Sequence, residues 1–325
     1  MKRSLIFVLC IVFSLAMVSG LFAAGGREDV QFVRVATAGS GGNYYRLGAG
    51  MASLWNDELE GIQASIQATG GSVNNMELLA DKEVEIAFVG SDPAFEAYNT
   101  IGAFEGKPAD RYKNVAFVSH MYPNPQYFVA MQWAQDIRTL RDVKGKRVSK
   151  GTVGSHGEFL FNQTLDILGW GYNDVIAEDT VHQATIDQVR NRQIDAIVWP
   201  DAVPSPSITE IMETGFARLL SFDDDVIKGM TENSLNFPLT IPAGTYTNQN
   251  QDIETFAYSA ILIARKDVSE EVVYQLVKSM YENQDYMIGV HPIAKFMTTE
   301  AALNGNPFDV HPGAARYFKE IGVMD

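Results

Sequence analysis

Strand-like and helical patterns of apolar residues alternate over the first third of the chain. Short β-branched and aromatic runs lie at residues 32–36, 62–68 and 84–89. Between them, apolar residues recur at helical spacing over residues 45–55, and a second helical face follows Ser72. This order predicts a βαβαβ unit, in which right-handed crossovers place parallel strands in one sheet with helices on both faces.

The same arrangement returns in the middle of the chain. Residues 147–149 form a short strand, a glycine-rich turn and a helix follow, and the strand at 194–199 resembles the third strand of the first unit. Corresponding strands of the two units are offset by 113 and 110 residues. Two nearly equal offsets indicate two lobes built on one plan.

The rest of the chain joins and completes the two units. We predict two strand-like segments within residues 114–131, separated at residues 122–125, then a loop at 237–244 and a strand at 256–264. Helical spacing follows to the end of the sequence.

These elements predict a two-lobed α/β fold with a mainly parallel sheet in each lobe, helices on both sheet faces and a ligand cleft between the lobes. The chain would cross between the lobes at residues 122–131 and 240–246. We expect lobe I to contain residues 26–122 and 241–325, and lobe II to contain residues 123–240.

The first 25 residues have the layout of a secretory signal peptide. Lys2 and Arg3 give a basic start, residues 5–18 are almost wholly apolar, and small residues follow. This apolar stretch is shorter than the ~20 residues of a membrane span, which disfavours stable insertion after cleavage. Cys10, the only cysteine, lies within it, so the exported chain would have no disulfide or zinc–cysteine site. We therefore expect a periplasmic protein.

Charge narrows the range of partners. The 325 residues include 40 acidic and 25 basic side chains, a formal net charge of −15. Nucleic acid and anionic lipid surfaces both require a basic face, so neither is an expected partner. The five histidines show no metal-binding spacing, and we predict neither a metal nor a cofactor.

Two glycine-rich loops that open helices are the candidate binding elements. The first contains Ser40, Gly41, Gly42, Asn43 and Tyr44, where N–H groups at a helix start suit a carboxylate or phosphate. This loop lacks the third glycine of a dinucleotide-binding fingerprint and the Gly-Lys-Ser/Thr of a P-loop. Its glycines are equally compatible with a tight turn that binds nothing.

The second loop contains Gly154, Ser155, His156 and Gly157. Ser155 and Glu158 fit a capping box, which would close the helix start without a ligand. An N-cap residue also lies where an anion docks, so the two roles of Ser155 are compatible. His156 is a candidate hydrogen-bond donor to a ligand.

Three polar residues follow the corresponding strands of the two units, namely Ser91, Asp92 and Asp201. Ligands of open α/β sheets bind beyond the carboxyl ends of the strands, so these residues are candidate ligand contacts. A carboxylate there would suit an ammonium group. The alternative for Asp92, which precedes Pro93, is an N-cap.

No catalytic residue is predicted. The chain has no Gly-x-Ser-x-Gly elbow, no exported cysteine to pair with a histidine and no convincing acid–base pair. We therefore expect a binding protein, and a two-lobed α/β transferase is the alternative from another functional class.

Six segments, in order along the chain, resemble the motifs of the TAXI family, the solute-binding proteins of tripartite ATP-independent periplasmic (TRAP) transporters. They are AGSGGNYYRLG (38–48), QATGGSVNN (67–75), AFVGSD (87–92), VKGKRV (143–148), IPAGTY (241–246) and HPGAARY (311–317).

The resemblance implies a type II periplasmic binding protein that captures a small organic anion and delivers it to a TRAP membrane subunit. The implied ligand is a glutamate-like amino acid or a 2-oxoacid such as 2-oxoglutarate. A protein that presents ligand to a membrane sensor is the alternative. The chain departs from the family motifs at Asn43, Arg46, His156, Gly157 and Glu158, which leaves the substrate open.

Overall fold

The computed structural model describes residues 30–232 and 234–325, so the predicted signal peptide at residues 1–25 lies outside the described residues. The strands are β1 (Gln31–Ala36), β2 (Ile62–Gln67), β3 (Ile86–Gly90), β4 (Val115–Met131), β5 (Arg147–Ser149), β6 (Ile176–Glu178), β7 (Ala196–Pro200), β8 (Ala217–Leu219), β9 (Phe237–Ile241) and β10 (Ile253–Arg265). The α-helices are α1 (Asn43–Glu58), α2 (Ser72–Ala80), α3 (Ser91–Asn99), α4 (His156–Leu168), α5 (His182–Arg190), α6 (Pro206–Glu213), α7 (Asp224–Thr231), α8 (Glu270–Glu282), α9 (Gln284–Val290) and α10 (Pro312–Glu320). Within this described part, no helix combines the length and apolarity that a membrane span requires.

One continuous sheet runs through both lobes in the order β2-β1-β3-β10-β4-β7-β5-β6, with β9 paired to β10 and β8 to β4. β1 pairs in parallel with β2 and β3, and β5 pairs in parallel with β6 and β7. The pairings of β4 and β10 are antiparallel. Each lobe therefore contains a parallel three-stranded unit flanked by the long strands, and the predicted two-lobed α/β fold is confirmed.

Helices cover both faces of the sheet, as alternate residues of β1 show. Val35 and Ala36 are neighbours that point to opposite faces, and they belong to different core clusters. Val35 shares its cluster with Met51 of α1, whereas Ala36 shares its cluster with Met76 of α2. This packing brings the first turns of the helices to the carboxyl ends of the parallel strands, on the side where the two lobes meet.

Strand β4 is a single element that reaches from one lobe to the other. Its first part pairs with β10, and residues 126–130 pair with β7. The prediction of two segments separated at residues 122–125 is therefore wrong, because Pro123 and Pro125 stay in the ladder. A register shift of β10 at Ala260 lies beside them and accommodates the irregular pairing.

Residues 237–241 form strand β9, so the prediction of a loop from residue 237 is wrong over this range. β9 pairs only with β10 and lies at an edge of the sheet. An edge strand tolerates Pro238, because one side of it needs no ladder hydrogen bonds.

The pairing of β10 bears on where the chain returns to the first lobe. Residues 253–257 of this strand pair with β9, and residues 260–264 pair with β3. This pairing favours a return within β10 over one at residues 240–246. The boundaries of the two lobes stay a prediction.

Candidate ligand-binding cleft

A cavity of about 280 Å³ lies between the two lobes. It is lined by Ala38, Gly39, Gly42, Asn43, Tyr44, Thr69, Gly70, Gly71, Ser72, Tyr122, Asn124, Thr152, Ser155, His156, Gly157, Val181, His182, Trp199, Pro200, Asp201 and Tyr258. This volume lies near the lower end of the ~300–1,000 Å³ that is typical of small-molecule sites, so it suits a small solute.

Three helix starts converge on this cavity. α1, α2 and α4 begin at Asn43, Ser72 and His156, and all three residues line it. The first N–H groups of a helix have no intrahelical acceptor, and the helix dipole places about half a positive charge there. Three partly positive backbone ends around one small volume suit a carboxylate.

Glycine allows the starts of α2 and α4 to approach each other across the cleft. Gly71 has a φ of +110°, a conformation that L side chains rarely adopt, and a β-carbon on it would lie 3.4 Å from Ser155 Cα. Close by, the Asn74 N–H donates to the Gly154 carbonyl over 3.4 Å. The two lobes are thus in direct backbone contact beside the cavity.

The loop after β5 is held in shape by its own hydrogen bonds. Ser155 Oγ accepts from the Glu158 N–H over 3.1 Å, which confirms this half of the predicted capping box. The Glu158 carboxylate accepts from the Gly154 N–H over 2.8 Å, and not from the N-cap residue. Lys150 is buried beneath the loop, with Nζ 2.8 Å from Glu158 and 2.7 Å from Asp179. The loop is therefore preorganised by an ion pair that the sequence patterns did not reveal.

A hydrogen bond between two predicted site residues joins the lobes. Asn43 Nδ2 donates to Asp201 Oδ1 over 2.7 Å, and both residues are buried. The same carboxylate accepts from the Ala202 N–H over 2.8 Å and from Ser205 Oγ over 2.6 Å. Asp201 thereby links the end of β7, the N-cap of α6 and the start of α1.

His156 lies fully inside the interface between the lobes. Its ring centroid is 3.7 Å from that of Tyr258, and its Nδ1 and Cε1 face the Cα of Gly90. Burial lowers the pKa of His156 to about 3, so the imidazole is neutral at physiological pH. A neutral imidazole offers one N–H donor and one acceptor to a ligand.

Aromatic side chains form much of the cavity wall. Tyr44 stacks on Phe88 with ring centroids 5.0 Å apart, and Tyr122 lies against Tyr44 at 6.2 Å. Trp199 packs against His182 at 5.6 Å on the lobe II side. Burial raises the pKa of Tyr44 to about 12, which keeps its phenol protonated and able to donate. The wall is therefore apolar with a few fixed polar atoms.

Several of those polar atoms are buried and have no hydrogen-bond partner among the described residues. They are Tyr44 Oη, Asn124 Oδ1 and both ring nitrogens of His156. The Asn124 amide nitrogen is satisfied, because it donates to Tyr258 Oη. An unsatisfied buried polar atom costs about 1–3 kcal/mol, so its repeated occurrence around one cavity points to groups that a ligand pairs.

The structure brings seven of the twelve predicted site residues to the cavity. These are Gly42, Asn43, Tyr44, Ser155, His156, Gly157 and Asp201. Ser40 and Gly41 lie in the first loop and are exposed, and Gly154 stands just behind the second helix start.

Ser91 and Asp92 are buried in the first turn of α3, outside the cavity lining. The N-cap of this helix is Gly90, so the N-cap alternative for Asp92 is wrong. Asp92 Oδ1 instead accepts from the Leu235 N–H over 2.8 Å. Burial raises the pKa of Asp92 to about 7, and the nearby Glu96 carboxylate adds to the shift.

Other lining residues were not among the predicted site residues. Those from the crossing strands are Tyr122, Asn124 and Tyr258, and His182 and Trp199 come from lobe II. The loop containing Gly70 and Gly71 had a detectable signal, because it follows a strand and opens a helix as the two chosen loops do. Residues of the crossing strands had no local signal, since only the pairing of β4 with β10 brings them to the cleft.

Within residues 30–232 and 234–325, no cluster of three or more His, Cys, Asp or Glu side chains is arranged to hold a metal ion.

Residues 35–322 match the model of the NMT1-like family. The structure is similar to that of a protein from Bordetella bronchiseptica RB50, with 15 % identity, 92 % of this chain and 90 % of that chain covered, and a TM-score of 0.53.

Two further solved structures have lower TM-scores. A putative L-cystine ABC transporter from Listeria monocytogenes is 12 % identical, with 84 % of this chain and 98 % of that chain covered and a TM-score of 0.49. The alkanesulfonate-binding protein SsuA from Xanthomonas axonopodis pv. citri, bound to MOPS, is 14 % identical, with 89 % and 83 % covered and a TM-score of 0.45. At such identities the Bordetella likeness concerns the fold alone.

Proposed function

The chain belongs to the NMT1-like family, and we propose that it is a periplasmic solute-binding protein whose two lobes close around a small organic acid or amino acid. The observation that carries the proposal is the cavity between the lobes. Three helix starts and four unpartnered buried polar atoms meet there.

The contacts between the lobes support a closed, ligand-holding form. Besides the Asn43–Asp201 bond, Gln163 Nε2 donates to Glu96 Oε1 over 3.0 Å across the cleft. The long strands β4 and β10 are the continuous connections about which the lobes would open. Hinge closure of this kind sequesters a ligand from water and makes its hydrogen bonds stronger.

We propose as ligand contacts the seven predicted residues that line the cavity. The backbone N–H groups of Asn43 and His156 would hold a carboxylate, and Tyr44 and the His156 ring would bond the remaining polar groups. We propose that the protein binds its ligand and releases it unchanged.

The membrane partner follows from the motif resemblance described above. We propose delivery to a TRAP membrane subunit, with presentation to a membrane sensor as the alternative. Detergent-solubilised membranes that hold the TRAP permease should retain the ligand-loaded chain and release the ligand-free chain. Retention by a sensor kinase alone would favour the alternative.

Calorimetric titration of the purified, ligand-stripped chain with a panel of amino acids, 2-oxoacids and other small carboxylic acids tests the binding function. We expect saturable binding of at least one member at one site per chain. The absence of heat across the whole panel would overturn the proposal. Turnover of the bound compound would favour the transferase alternative.

A further inference from the structure

The cavity contains one carboxylate and lacks a fixed cation. Asp201 lines it, whereas no Lys or Arg side chain of residues 30–232 and 234–325 does so. Arg46, in the first turn of α1, is exposed and lies outside the lining. Lys150 is buried nearby, but Glu158 and Asp179 already pair with it.

The positive charge available to an anion is therefore that of the three helix starts. Each offers backbone N–H donors and a partial charge of about one half, which matches one carboxylate well. A second carboxylate in the same volume would have no Lys or Arg to pair with, and in a ligand without an ammonium group it would also face the unpaired charge of Asp201. Two unit charges about 5 Å apart at an effective dielectric of ~20 repel strongly enough to reduce affinity by more than tenfold.

Asp201 has capacity for one more donor. A carboxylate has about four acceptor positions, and three are used by Asn43, Ala202 and Ser205. The ammonium group of an amino acid would take the fourth and neutralise the buried charge. The remaining wall, formed by Tyr44, Tyr122 and Trp199, suits an uncharged side chain.

We propose that the cavity selects a zwitterionic α-amino acid with an uncharged side chain over dicarboxylic acids, and that Asp201 is the residue that enforces this choice. The inference rests on the proposed binding function. It departs from the ligand class that the motif resemblance implied, since 2-oxoglutarate and glutamate become the disfavoured ligands.

The test is competitive calorimetry, which measures the affinities of two groups of compounds. Leucine, phenylalanine and glutamine have uncharged side chains, whereas glutamate, 2-oxoglutarate and succinate have two carboxylates. Among the amino acids with uncharged side chains, we expect the one with the highest affinity to bind at least about tenfold more tightly than any dicarboxylic acid. Asp201→Asn should reduce the ratio of these two affinities by at least about tenfold, because it removes the charge that repels a second carboxylate.

Asn43→Ala is the matched variant. It removes the side-chain bond between Asn43 and Asp201 and leaves the cavity charge unchanged, so it should weaken all ligands alike and preserve the ratio of their affinities. Tighter binding of a dicarboxylic acid by the wild type, or an unchanged ratio in Asp201→Asn, would overturn the inference while the binding function stands. No binding by any of the six compounds, together with a silent wider panel, would overturn the binding function itself.

Discussion

The His156 imidazole of one lobe lies directly against the backbone of Gly90 in the other. A β-carbon on residue 90 would overlap Nδ1 and Cε1 of the ring. The backbone of Gly90 has φ −77° and ψ 149°, an extended conformation open to any residue. Glycine is therefore needed at this position for the close approach of the lobes, and not for backbone freedom.

Gly90→Ala should prevent full closure. The added methyl group takes the volume of the imidazole, so we expect ligand affinity to fall by at least about tenfold and ligand-induced compaction in small-angle scattering to be lost. His156→Ala in the same chain should restore compaction, because it removes the overlapping ring. Gly171→Ala, where a β-carbon meets open space, is the control. Normal compaction in Gly90→Ala would contradict the closed geometry.

Lys150→Met should loosen the second binding loop. The change removes a buried ammonium from Glu158, whose carboxylate holds the Gly154 N–H. Because Glu158 is partly exposed, we expect the free energy of unfolding to fall by roughly 1–3 kcal/mol, below the range for a fully buried pair, with weaker ligand binding.

Urea denaturation measures the effect of Lys150→Met, and Lys146→Met provides the comparison. Lys146 pairs with the exposed Asp136, where solvent screens the attraction, so its loss should change the free energy of unfolding much less than the loss of Lys150. Equal effects of the two substitutions would show that the buried pair has no special role.

Asp92→Asn should stabilise the protein at pH 8. The folded-state pKa of Asp92, about 7, exceeds the unfolded value of about 3.9, so its favourable contribution is complete below pH ~4 and is lost as pH rises through 7. The amide removes a buried charge and still accepts from the Leu235 N–H. We expect a gain of roughly 2–4 kcal/mol at pH 8 in urea denaturation.

The pH dependence of that gain identifies its cause. At pH 4.5 both forms are neutral in the folded protein, so the gain should largely disappear. Asp57→Asn, on the exposed side of α1, should have little effect at either pH. A gain of the same size at both pH values would point to packing and not to charge.

His156 should make the protein sensitive to acid. Its folded-state pKa of about 3 lies below the unfolded value of about 6.5, so the stability it contributes is present above pH ~6.5 and is lost as pH falls towards 3. At pH 5 this corresponds to a loss of about 2 kcal/mol in the free energy of unfolding. His156→Gln should reduce the fall in unfolding free energy between pH 7.5 and 5 by that amount. Parallel pH profiles for variant and wild type would contradict a buried neutral imidazole.

Local sequence patterns predicted the structure correctly where one segment determines its own conformation. The βαβ units, the start of α4 and the Ser155 cap follow from apolar spacing, glycine turns and N-cap chemistry. The same patterns predicted Asn43 and His156 as ligand contacts, because helices that begin after parallel strands start at a common edge of the sheet.

Pairing between distant segments could not be derived from such patterns. Two prolines suggested a break in β4, but its ladder with β10 continues past Pro123 and Pro125. Tyr258 reaches the cavity only because β10 lies between β3 and β4 in the sheet. Asp92 was predicted as a ligand contact from its position after a strand, yet its carboxylate accepts from the Leu235 N–H, 143 residues away in the sequence.

A small solute should pair the unsatisfied groups of the cavity, and Tyr44→Phe tests this pairing at one named atom. Without ligand, the substitution removes an unpartnered buried hydroxyl, so the free energy of unfolding should rise by about 1 kcal/mol. With ligand, it removes a hydrogen-bond partner, so affinity in titration calorimetry should fall by about tenfold or more. Tyr286→Phe, at a half-exposed position where the hydroxyl makes only a long 3.5 Å bond to the Gly50 carbonyl, should change both quantities little. Unchanged affinity in Tyr44→Phe, or a loss of stability in the free protein, would contradict a hydrogen bond between the ligand and Tyr44 Oη.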